Sequence, residues 1–284
     1  MRIGFQGEAG AFSEEAVLTL LPSALPVPHR TFREVVRSVE AGDDDAGLLP
    51  VENTLAGGVA ASFDALAAGN VHVIREVVIG IRHCLLGMPG AAVSGLREVR
   101  SHPVALAQCE RFFQDHPQLN PVAAHDTAGS AREVAEAGDP GVAAIAARGA
   151  ARRYGLAILA EDLQDRDDNQ TRFLLVVRDK RPTDGSAPAL GNFKTAVIVE
   201  IENRPGALYH LLGVFAERGL DLTFVESRPA GTPWTYRFVL EFRHASRHEA
   251  EDALRVTSEM SRGVQVLGTY VPHGGEAEGV VETT

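Results

Sequence analysis

Short apolar runs alternate with longer, alanine-rich amphipathic stretches through the first 180 residues of this chain. The apolar runs lie at residues 2–5, 46–49, 71–81, 141–145 and 173–177. Strands that alternate with helices form βα units, in which the helices pack on a sheet of mostly parallel strands. The alternation therefore predicts an α/β fold for this part of the chain.

Residues 181–193 interrupt the alternation. They are rich in Pro, Gly and Ser and have no apolar period, which is typical of a linker between domains. We therefore expect two domains, at residues 1–180 and 194–272. The last residues, 273–284, are polar and acidic, and we expect them to form a flexible tail.

The second domain has a different order of predicted elements. Residues 207–218 place leucines and a phenylalanine on one helical face, and alternation at 235–243 predicts a half-buried strand. Ser246 is expected to cap a helix that ends near Met260. With further strands at 195–202, 222–226 and 264–270, the order is βαββαβ, the ferredoxin-like plan.

Charge and cysteine content exclude several classes of partner. The formal net charge of -11 argues against a nucleic-acid partner, because phosphate binding requires a basic surface. Cys84 and Cys109 are too few for a disulfide framework and fit a reducing compartment. No signal-peptide core precedes the first strand, and no apolar run is long enough to cross a bilayer. We therefore expect a cytoplasmic protein without membrane contacts.

Three kinds of chemistry lack their usual motifs. No His, Cys and Asp set has zinc spacing, and neither a Gly-x-Ser-x-Gly elbow nor a Walker loop is present. The turn at residues 7–10 has Gly-x-x-Gly spacing, which does not match the dinucleotide fingerprint. We therefore expect neither a metal nor a nicotinamide cofactor.

Polar residues at predicted helix starts form one set of candidates. Ser13 follows the first strand, Ser101 precedes a helix that carries Gln108, and Thr127 begins the next helix. Hydroxyl and N–H groups at several helix starts favour an anion when they converge on one cleft. Each start taken alone is explained at least as well by helix capping.

Two strand ends carry the more specific polar groups. Glu52, Asn53 and Thr54 follow an apolar strand, at the edge where open α/β sheets bind ligands. Thr171 and Arg172 lead into another strand, and an arginine there suits a carboxylate ligand. Asn53 or Thr54 could instead cap a helix. Arg172 could instead form an ion pair with a nearby aspartate, such as Asp165, Asp167 or Asp168.

Together these motifs resemble the prephenate dehydratase family in order and approximate spacing. The resemblance rests on residues 7–13, 50–54, 83–86, 101–109 and 171–173. The Thr-Arg-Phe element at 171–173 is the family's best-known signature. Two positions depart from the family pattern, because Thr54 stands where Ser is usual and Asp126 precedes Thr127 where Ser-Thr is more common.

The resemblance implies that the chain catalyses the conversion of prephenate to phenylpyruvate, with loss of water and carbon dioxide. This reaction belongs to phenylalanine biosynthesis and needs no cofactor. The resemblance also implies that Thr171 assists the leaving hydroxyl, with Glu52 of raised pKa as the rival acid. The residues expected to bind or orient the substrate are Ser13, Asn53, Thr54, Ser101, Gln108, Thr127, Arg172 and Phe173.

The same resemblance implies a catalytic region with two lobes, like the periplasmic solute-binding proteins. Residues 1–79 and 160–180 would form one lobe and residues 80–159 the other, with the active site in the cleft between them.

The second domain resembles an ACT domain, a regulatory module that binds amino acids. This resemblance implies phenylalanine as a feedback inhibitor, bound where two such domains pair in a dimer or tetramer. The residues expected to bind it are Asn203, Pro205, Gly206, Ala207, Leu208, Glu226, Ser227 and Arg228. A tight turn and a strand with surface charges would explain the same residues without an effector.

Two other functions stay open on the sequence. Arogenate dehydratase would carry out the same chemistry on the aminated substrate. A non-catalytic, two-lobed small-molecule binding protein would use the same cleft without turnover.

Overall fold

Three β-sheets organise the computed structural model, which describes residues 1–179, 191–231 and 235–274. Residues 181–190 of the expected linker and 275–284 of the expected tail lie outside the described residues. Two sheets belong to residues 1–179, and we call them, with their helices, lobe 1 and lobe 2. The third sheet belongs to residues 191–231 and 235–274, which we call the C-terminal domain.

Residues 1–179 form eleven strands and seven α-helices. In chain order these are β1 (Arg2–Gln6), α1 (Phe12–Leu20), β2 (Leu25–His29), α2 (Phe32–Ala41), β3 (Ala46–Asn53), β4 (Gly57–Gly58), α3 (Ala60–Ala68), β5 (His72–Gly80), β6 (Cys84–Gly87), β7 (Glu98–Ser101), α4 (Pro103–Ala107), α5 (Glu110–Asp115), β8 (Asn120–Ala123), α6 (Thr127–Ala137), β9 (Val142–Ala146), α7 (Arg148–Tyr154), β10 (Ala157–Ala160) and β11 (Gln170–Val177).

Lobe 1 contains the sheet with strand order β2-β1-β3-β11-β5, and β4 pairs with β3. Strand β1 is parallel to β2 and β3, whereas β11 is antiparallel to both of its neighbours. Strands β1, β2, β3 and β5 therefore run in one direction, as the prediction of mostly parallel strands requires, and β11 and the short β4 are the exceptions. The reason is that β11 enters this sheet after the chain has returned from lobe 2, so it runs against β3 and β5.

Lobe 2 contains the sheet with strand order β10-β6-β9-β7-β8. Strand β7 is parallel to β8 and β9, whereas β6 is antiparallel to β9 and β10. The chain passes from lobe 1 to lobe 2 between Gly80 and Cys84, and it returns between Ala160 and Gln170. Apolar side chains of both sheet faces pack against helices in each lobe, which confirms the α/β class.

The C-terminal domain has the predicted βαββαβ order. Its elements are β12 (Phe193–Glu200), α8 (Ala207–Ala216), β13 (Leu222–Pro229), β14 (Tyr236–His244), α9 (Arg247–Met260) and β15 (Gly263–Tyr270). The antiparallel sheet has the order β13-β14-β12-β15, and the Ser246 hydroxyl caps α9 by accepting a hydrogen bond from Glu249 N–H. One face of the sheet packs on α8 and α9 through Leu240, Phe242 and Leu211.

The other face of this sheet packs on lobe 1. Ile198, Val239 and Leu267 of the C-terminal domain share one buried cluster with Phe63 and Leu174 of lobe 1. Strand β15 runs so close to β5 that a Cβ atom on Gly268 would overlap the backbone carbonyl of Val73. The two regions therefore share a hydrophobic core, and each buried aliphatic or aromatic side chain in it contributes about 1.5–3 kcal/mol.

Candidate active site

Strands β3 and β11 bring Asn53 and Thr171 together at the edge of lobe 1 that faces lobe 2. The two residues are direct partners in the antiparallel ladder, and the next pair along it is Glu52 with Arg172. The register then skips one residue, because Val51 has no partner of its own before Pro50 pairs with Phe173. This β-bulge places Glu52 on the same sheet face as Arg172, and it places Asn53 on the face of Thr171.

The Asn53 amide has a fixed orientation. Its Oδ1 accepts hydrogen bonds from the backbone N–H groups of Leu55 (3.0 Å) and Ala56 (2.9 Å). Its Nδ2 must therefore be the atom that lies 3.0 Å from Thr171 Oγ1, 2.8 Å from Asn169 Oδ1 and 3.0 Å from the Gln170 carbonyl, so its two hydrogens are shared among three acceptors. An amide nitrogen only donates, so Thr171 Oγ1 accepts and keeps its own hydrogen for another acceptor.

The directions of the next hydrogen bonds, which lead from lobe 1 into lobe 2, are fixed in the same way. Asn169 Oδ1 accepts from Asn53, so Asn169 Nδ2 donates to Gln108 Oε1 at 3.0 Å. His83 Nε2 lies 3.0 Å from the same Gln108 oxygen and must donate to it. This relay of Asn53, Asn169, Gln108 and His83 joins the Thr171 hydroxyl to the second lobe.

His83 is a neutral member of this relay. It is buried, and burial lowers the pKa of its imidazole although the hydrogen bond to Gln108 opposes the shift. With its hydrogen on Nε2, the ring leaves Nδ1 as a buried acceptor that has no hydrogen-bond partner among the described residues. The Phe12 ring meets His83 edge-on, with 5.4 Å between the ring centroids.

Glu52 and Arg172 lie on the opposite face of the sheet from Thr171. Arg172 Nε is 3.0 Å from Glu52 Oε2, and its Nη1 is 3.1 Å from Glu76 Oε2 and 2.7 Å from Glu241 Oε2. Burial opposes the guanidinium charge, but the charges of Glu241 and Glu76 raise the pKa of Arg172 above its ordinary value. A buried guanidinium with three carboxylates around it does not fit the expected contact with a substrate carboxylate.

Arg172 therefore forms ion pairs, as the alternative to substrate binding predicted, but its partners are Glu52, Glu76 and Glu241 and not the three aspartates expected. Asp165 accepts hydrogen bonds from the backbone N–H groups of Glu110 and Arg111 instead. Asp167 pairs with Arg82, and Asp168 pairs with Arg166.

Three other expected substrate residues are occupied by structural roles. The Ser101 hydroxyl is fully buried and donates to the Ile145 carbonyl at 2.6 Å, while His102 caps α4. Phe173 is 2% exposed and packs in the lobe 1 core, which leaves it no surface for a ligand. Thr54 donates to the Asp168 carbonyl at 2.7 Å and accepts from Gln170 N–H at 2.9 Å, so it shapes the loop.

Ser13 and Thr127 keep positions that suit a ligand. Ser13 is the second residue of α1, after the N-cap Ala11, and Thr127 is the first residue of α6 after the N-cap Asp126. Asp126 accepts from Gly129 N–H, so a carboxylate already satisfies one N–H group at the start of α6. Both hydroxyl residues are half-buried.

The loop after β1 contacts lobe 2 directly. Arg132 Nε of α6 lies 2.7 Å from Glu8 Oε2, and the Tyr154 hydroxyl donates to the Ala9 carbonyl at 2.7 Å. A Cβ atom on Gly10, which has φ of +89°, would lie 2.7 Å from Ala150 Cα. Glycine at this position is therefore what lets the two lobes approach so closely. No local sequence signal links these residues, because they are more than a hundred positions apart.

The expected effector residues are divided between two faces of the C-terminal domain. Gly206, with φ of +83°, is the N-cap of α8, and Ser227 pairs across the sheet with Phe238 on the face that carries the helices. Glu226 and Arg228 point the other way, toward lobe 1, where Arg228 Nη2 is 2.6 Å from Asp64 Oδ2. The strand alternation therefore separates Ser227 from Glu226 and Arg228.

The described residues contain neither a membrane-spanning helix nor a cluster of metal ligands. Within residues 1–179, 191–231 and 235–274, no helix is both long and apolar enough to cross a membrane. In that same part of the chain, no three His, Cys, Asp or Glu side chains are grouped as metal ligands would be.

Comparisons with known proteins agree over nearly the whole chain. The family model described as prephenate dehydratase matches residues 3–181, and the ACT domain model matches residues 195–257. Arogenate dehydratase/prephenate dehydratase 2, chloroplastic, of Arabidopsis thaliana is 38% identical over 281 residues, covering 95% of this chain and 72% of the relative.

Two solved structures have closely similar folds. A prephenate dehydratase in complex with L-Phe, from Arthrobacter aurescens, has a TM-score of 0.87 and 34% identity, covering 95% of this chain and 90% of that one. GqqA, described as a novel type of quorum quenching acylase, has a TM-score of 0.88 and 32% identity, covering 96% of this chain and 99% of that one.

Proposed function

Because this chain belongs to the prephenate dehydratase family and carries an ACT domain, we propose that it converts prephenate to phenylpyruvate. It is a carbon–oxygen lyase that serves phenylalanine biosynthesis. The observation that carries the proposed mechanism is the Asn53 amide, which makes Thr171 Oγ1 an acceptor and leaves the Thr171 hydrogen to be donated.

The reaction requires help for one leaving oxygen. Prephenate breaks its ring carbon–hydroxyl bond and its bond to the ring carboxylate, whose electron pair completes the aromatic ring. One proton is taken up, and phenylpyruvate, carbon dioxide and water are formed. Thr171 would donate its hydrogen bond to the departing oxygen, and a group in that role contributes roughly 10²–10⁴-fold to the rate.

Glu52 fits the role of general acid less well than Thr171. Its carboxylate contacts Arg172 on the other face of the sheet, so it points away from the Thr171 hydroxyl and from a substrate bound there. We therefore assign Glu52 and Arg172 to the support of β3 and β11, and Thr171 to the contact with substrate.

The substrate carboxylates would be bound by neutral donors and helix starts. Gln108 Oε1 already accepts two hydrogen bonds, so the Nε2 group of Gln108 is the part that would donate to substrate. Ser13 and Thr127, at the starts of α1 and α6, would add hydroxyl and backbone N–H groups. Ser101, Thr54 and Phe173 would shape the wall around them.

Arogenate is the second candidate substrate, because the Arabidopsis relative is named for both activities. The two compounds differ in an amino against a keto group on the side chain, away from the leaving hydroxyl. The same Thr171 chemistry would therefore serve either compound.

The C-terminal domain would bind phenylalanine and report its concentration to the active site. The similar Arthrobacter structure contains L-Phe, and in this chain the start of α8 at Gly206 offers N–H groups to a carboxylate. Asn203, Pro205, Ala207, Leu208 and Ser227 would complete the site. Glu226 and Arg228 would act indirectly, because they contact lobe 1.

Self-association through the C-terminal domain would give a dimer or tetramer. Strand β13 lies at the edge of its sheet, and large apolar side chains near it and at the start of α8 are exposed: Leu208, Tyr209, Val225 and Tyr236. An exposed strand edge beside apolar side chains is a common pairing surface. We also propose a cytoplasmic location, since both cysteines are free and buried.

Steady-state assays of the purified full-length chain on prephenate and on arogenate test this function. An N-acyl amide serves as a third substrate, because one similar structure is described as an acylase. We expect aromatic product from prephenate, a lower rate with added phenylalanine, and loss of activity in Thr171→Ala. Hydrolysis of the amide without turnover of either ring acid would overturn the proposal.

A further inference from the structure

Five buried ionisable groups meet at the boundary between lobe 1 and the C-terminal domain. Arg172 and Glu76 come from lobe 1, and Lys194, Glu241 and Tyr270 come from the C-terminal domain. Lys194 Nζ is 2.8 Å from Glu76 Oε2, and the Tyr270 hydroxyl donates to Glu241 Oε1 at 3.1 Å. The mechanism above uses none of these groups directly.

Glu241 is the member that ties the C-terminal domain to the catalytic strand. It lies on β14, has no exposed surface, and places Oε2 2.7 Å from Arg172 Nη1. A buried carboxylate and guanidinium stabilise each other only while they stay paired, so neither can move far alone. Burial alone would raise the pKa of Glu76, but Lys194, the His273 N–H and Arg172 hold it below its ordinary value.

Arg172 directly follows Thr171 in the chain. Both residues lie beside the β-bulge, where the ladder between β3 and β11 changes register. The ion pairs of the Arg172 guanidinium therefore anchor the strand position next to Thr171, whose hydroxyl accepts a 3.0 Å hydrogen bond from Asn53.

We propose that Glu241 is a positioning residue for the dehydratase reaction, which acts from the C-terminal domain through Arg172 on the placement of the Thr171 hydroxyl. The proposal rests on the proposed function and names the physical route by which the C-terminal domain controls that site. It assigns Arg172 the role of a connector between domains rather than that of a substrate ligand.

Asp64 provides a matched control on the same boundary. It belongs to α3 of lobe 1 and pairs with Arg228 (2.6 Å) and Arg237 (2.8 Å) of the C-terminal domain. Its ion pairs among the described residues are with these two arginines, neither of which belongs to β11, so Asp64→Asn weakens a link between the domains and leaves the ion pairs of Arg172 in place. Val214→Ala is the second control, because it weakens the buried helix face of the C-terminal domain away from this boundary.

The experiment compares full-length wild type with Glu241→Gln, Arg172→Met, the double variant and both controls, at a temperature where all remain folded by circular dichroism. We expect Glu241→Gln to lower kcat by about threefold to thirtyfold, with KM for prephenate changed less than kcat. If Glu241 acts through Arg172, the double variant loses no more kcat than Arg172→Met alone. Asp64→Asn and Val214→Ala should keep the wild-type kcat.

Hydrogen exchange gives a readout that does not depend on turnover. Peptides that contain Thr171 should exchange faster in Glu241→Gln and at the wild-type rate in Asp64→Asn. A wild-type kcat and wild-type exchange in Glu241→Gln would overturn the proposal, as would losses that multiply in the double variant. If the wild type itself turns over neither prephenate nor arogenate, the proposed function fails instead.

Discussion

Asn53 Nδ2 and Thr171 Oγ1 lie 3.0 Å apart, and the direction of their hydrogen bond is fixed by the two backbone N–H groups that hold the other end of the Asn53 amide. In this pair Asn53 is the donor and Thr171 Oγ1 is the acceptor. The Thr171 hydroxyl hydrogen is thereby directed away from Asn53, which is the condition for a hydroxyl that has to donate to a substrate.

Removal of the Thr171 hydroxyl should abolish most turnover. We expect Thr171→Ala to lower kcat by roughly 10²–10⁴-fold, the usual contribution of a group that protonates or hydrogen-bonds a leaving atom. Thr171→Ser keeps the hydroxyl and should keep most of the activity. Steady-state kinetics with thermal unfolding of all three proteins measure this, and a Thr171→Ala variant as active as Thr171→Ser would contradict the assignment.

Reversal of the Asn53 hydrogen bond should also impair catalysis. In Asn53→Asp the carboxylate has no N–H, so the Thr171 hydroxyl would turn to donate to it and would be lost to the substrate. We expect kcat to fall roughly 10- to 100-fold, which corresponds to about 1.5–3 kcal/mol for a misdirected hydrogen bond to a charged group. Asn120→Asp, which adds the same charge on the exposed part of β8, is the control and should leave kcat unchanged.

The neutral state of His83 makes stability depend on pH. Because burial lowers the folded-state pKa below 6.5, the unfolded chain takes up a proton in mildly acidic solution that the folded chain refuses. The contribution of His83 is therefore complete above about pH 6.5 and is lost as the pH falls through the folded-state value. Urea unfolding should show a smaller loss of stability between about pH 7.5 and pH 5.5 in His83→Gln than in wild type. If wild type and His83→Gln lost the same stability between these two pH values, His83 would not be a buried neutral group.

Two carboxylates at the domain boundary, Glu76 and Asp64, should differ in their effect on stability. Glu76 is 5% exposed and contacts both Lys194 and Arg172. Arg172 would keep Glu52 and Glu241, but Glu76→Ala takes away the carboxylate that pairs with the buried Lys194, which should cost about 3–5 kcal/mol. The Asp64 side chain is 38% exposed, and Asp64→Asn should cost at most about 1 kcal/mol. Equilibrium denaturation measures both, and equal losses would show that burial does not govern this boundary.

The cysteines should be inert in the folded protein. Cys84 and Cys109 are both buried, and burial raises the pKa of the Cys109 thiol to about 12. The thiolate is the reactive form of cysteine. A chromogenic thiol reagent should therefore label neither residue in the native state and both after denaturation. Rapid native labelling of Cys109 would show that lobe 2 opens far more often than its packing suggests.

The layered architecture could be predicted from the sequence because local patterns determine it. Alternating apolar runs give the α/β class, and the order of strands and helices in the C-terminal domain follows from periodicity and from the cap at Ser246. The strand ends that carry Asn53 and Thr171 could be selected as candidates, because open α/β sheets bind their ligands at strand ends.

The partners of Arg172 could not be predicted in the same way. Strict alternation would put Glu52 on the face of Leu48 and Pro50, and only the extra residue at Val51 brings it opposite Arg172. Glu241 lies on a strand of another domain, and no local pattern marks it as a neighbour of β11. A bulge and a contact between domains both depend on the tertiary fold, and residues such as Phe173 then fall inside the core although their motif is associated with the site.

The hydrophobic cluster that unites Ile198 and Val239 with Phe63 and Leu174 has a consequence for the history and engineering of this chain. A sensor attached only by a tether could be exchanged for another sensor with a different specificity. Here an exchange would uncover apolar side chains on one surface of lobe 1 and would remove Lys194, Arg228 and Arg237, the cations that pair with Glu76 and Asp64. A replacement domain would therefore need a matching apolar face and matching cations before it could pack on lobe 1.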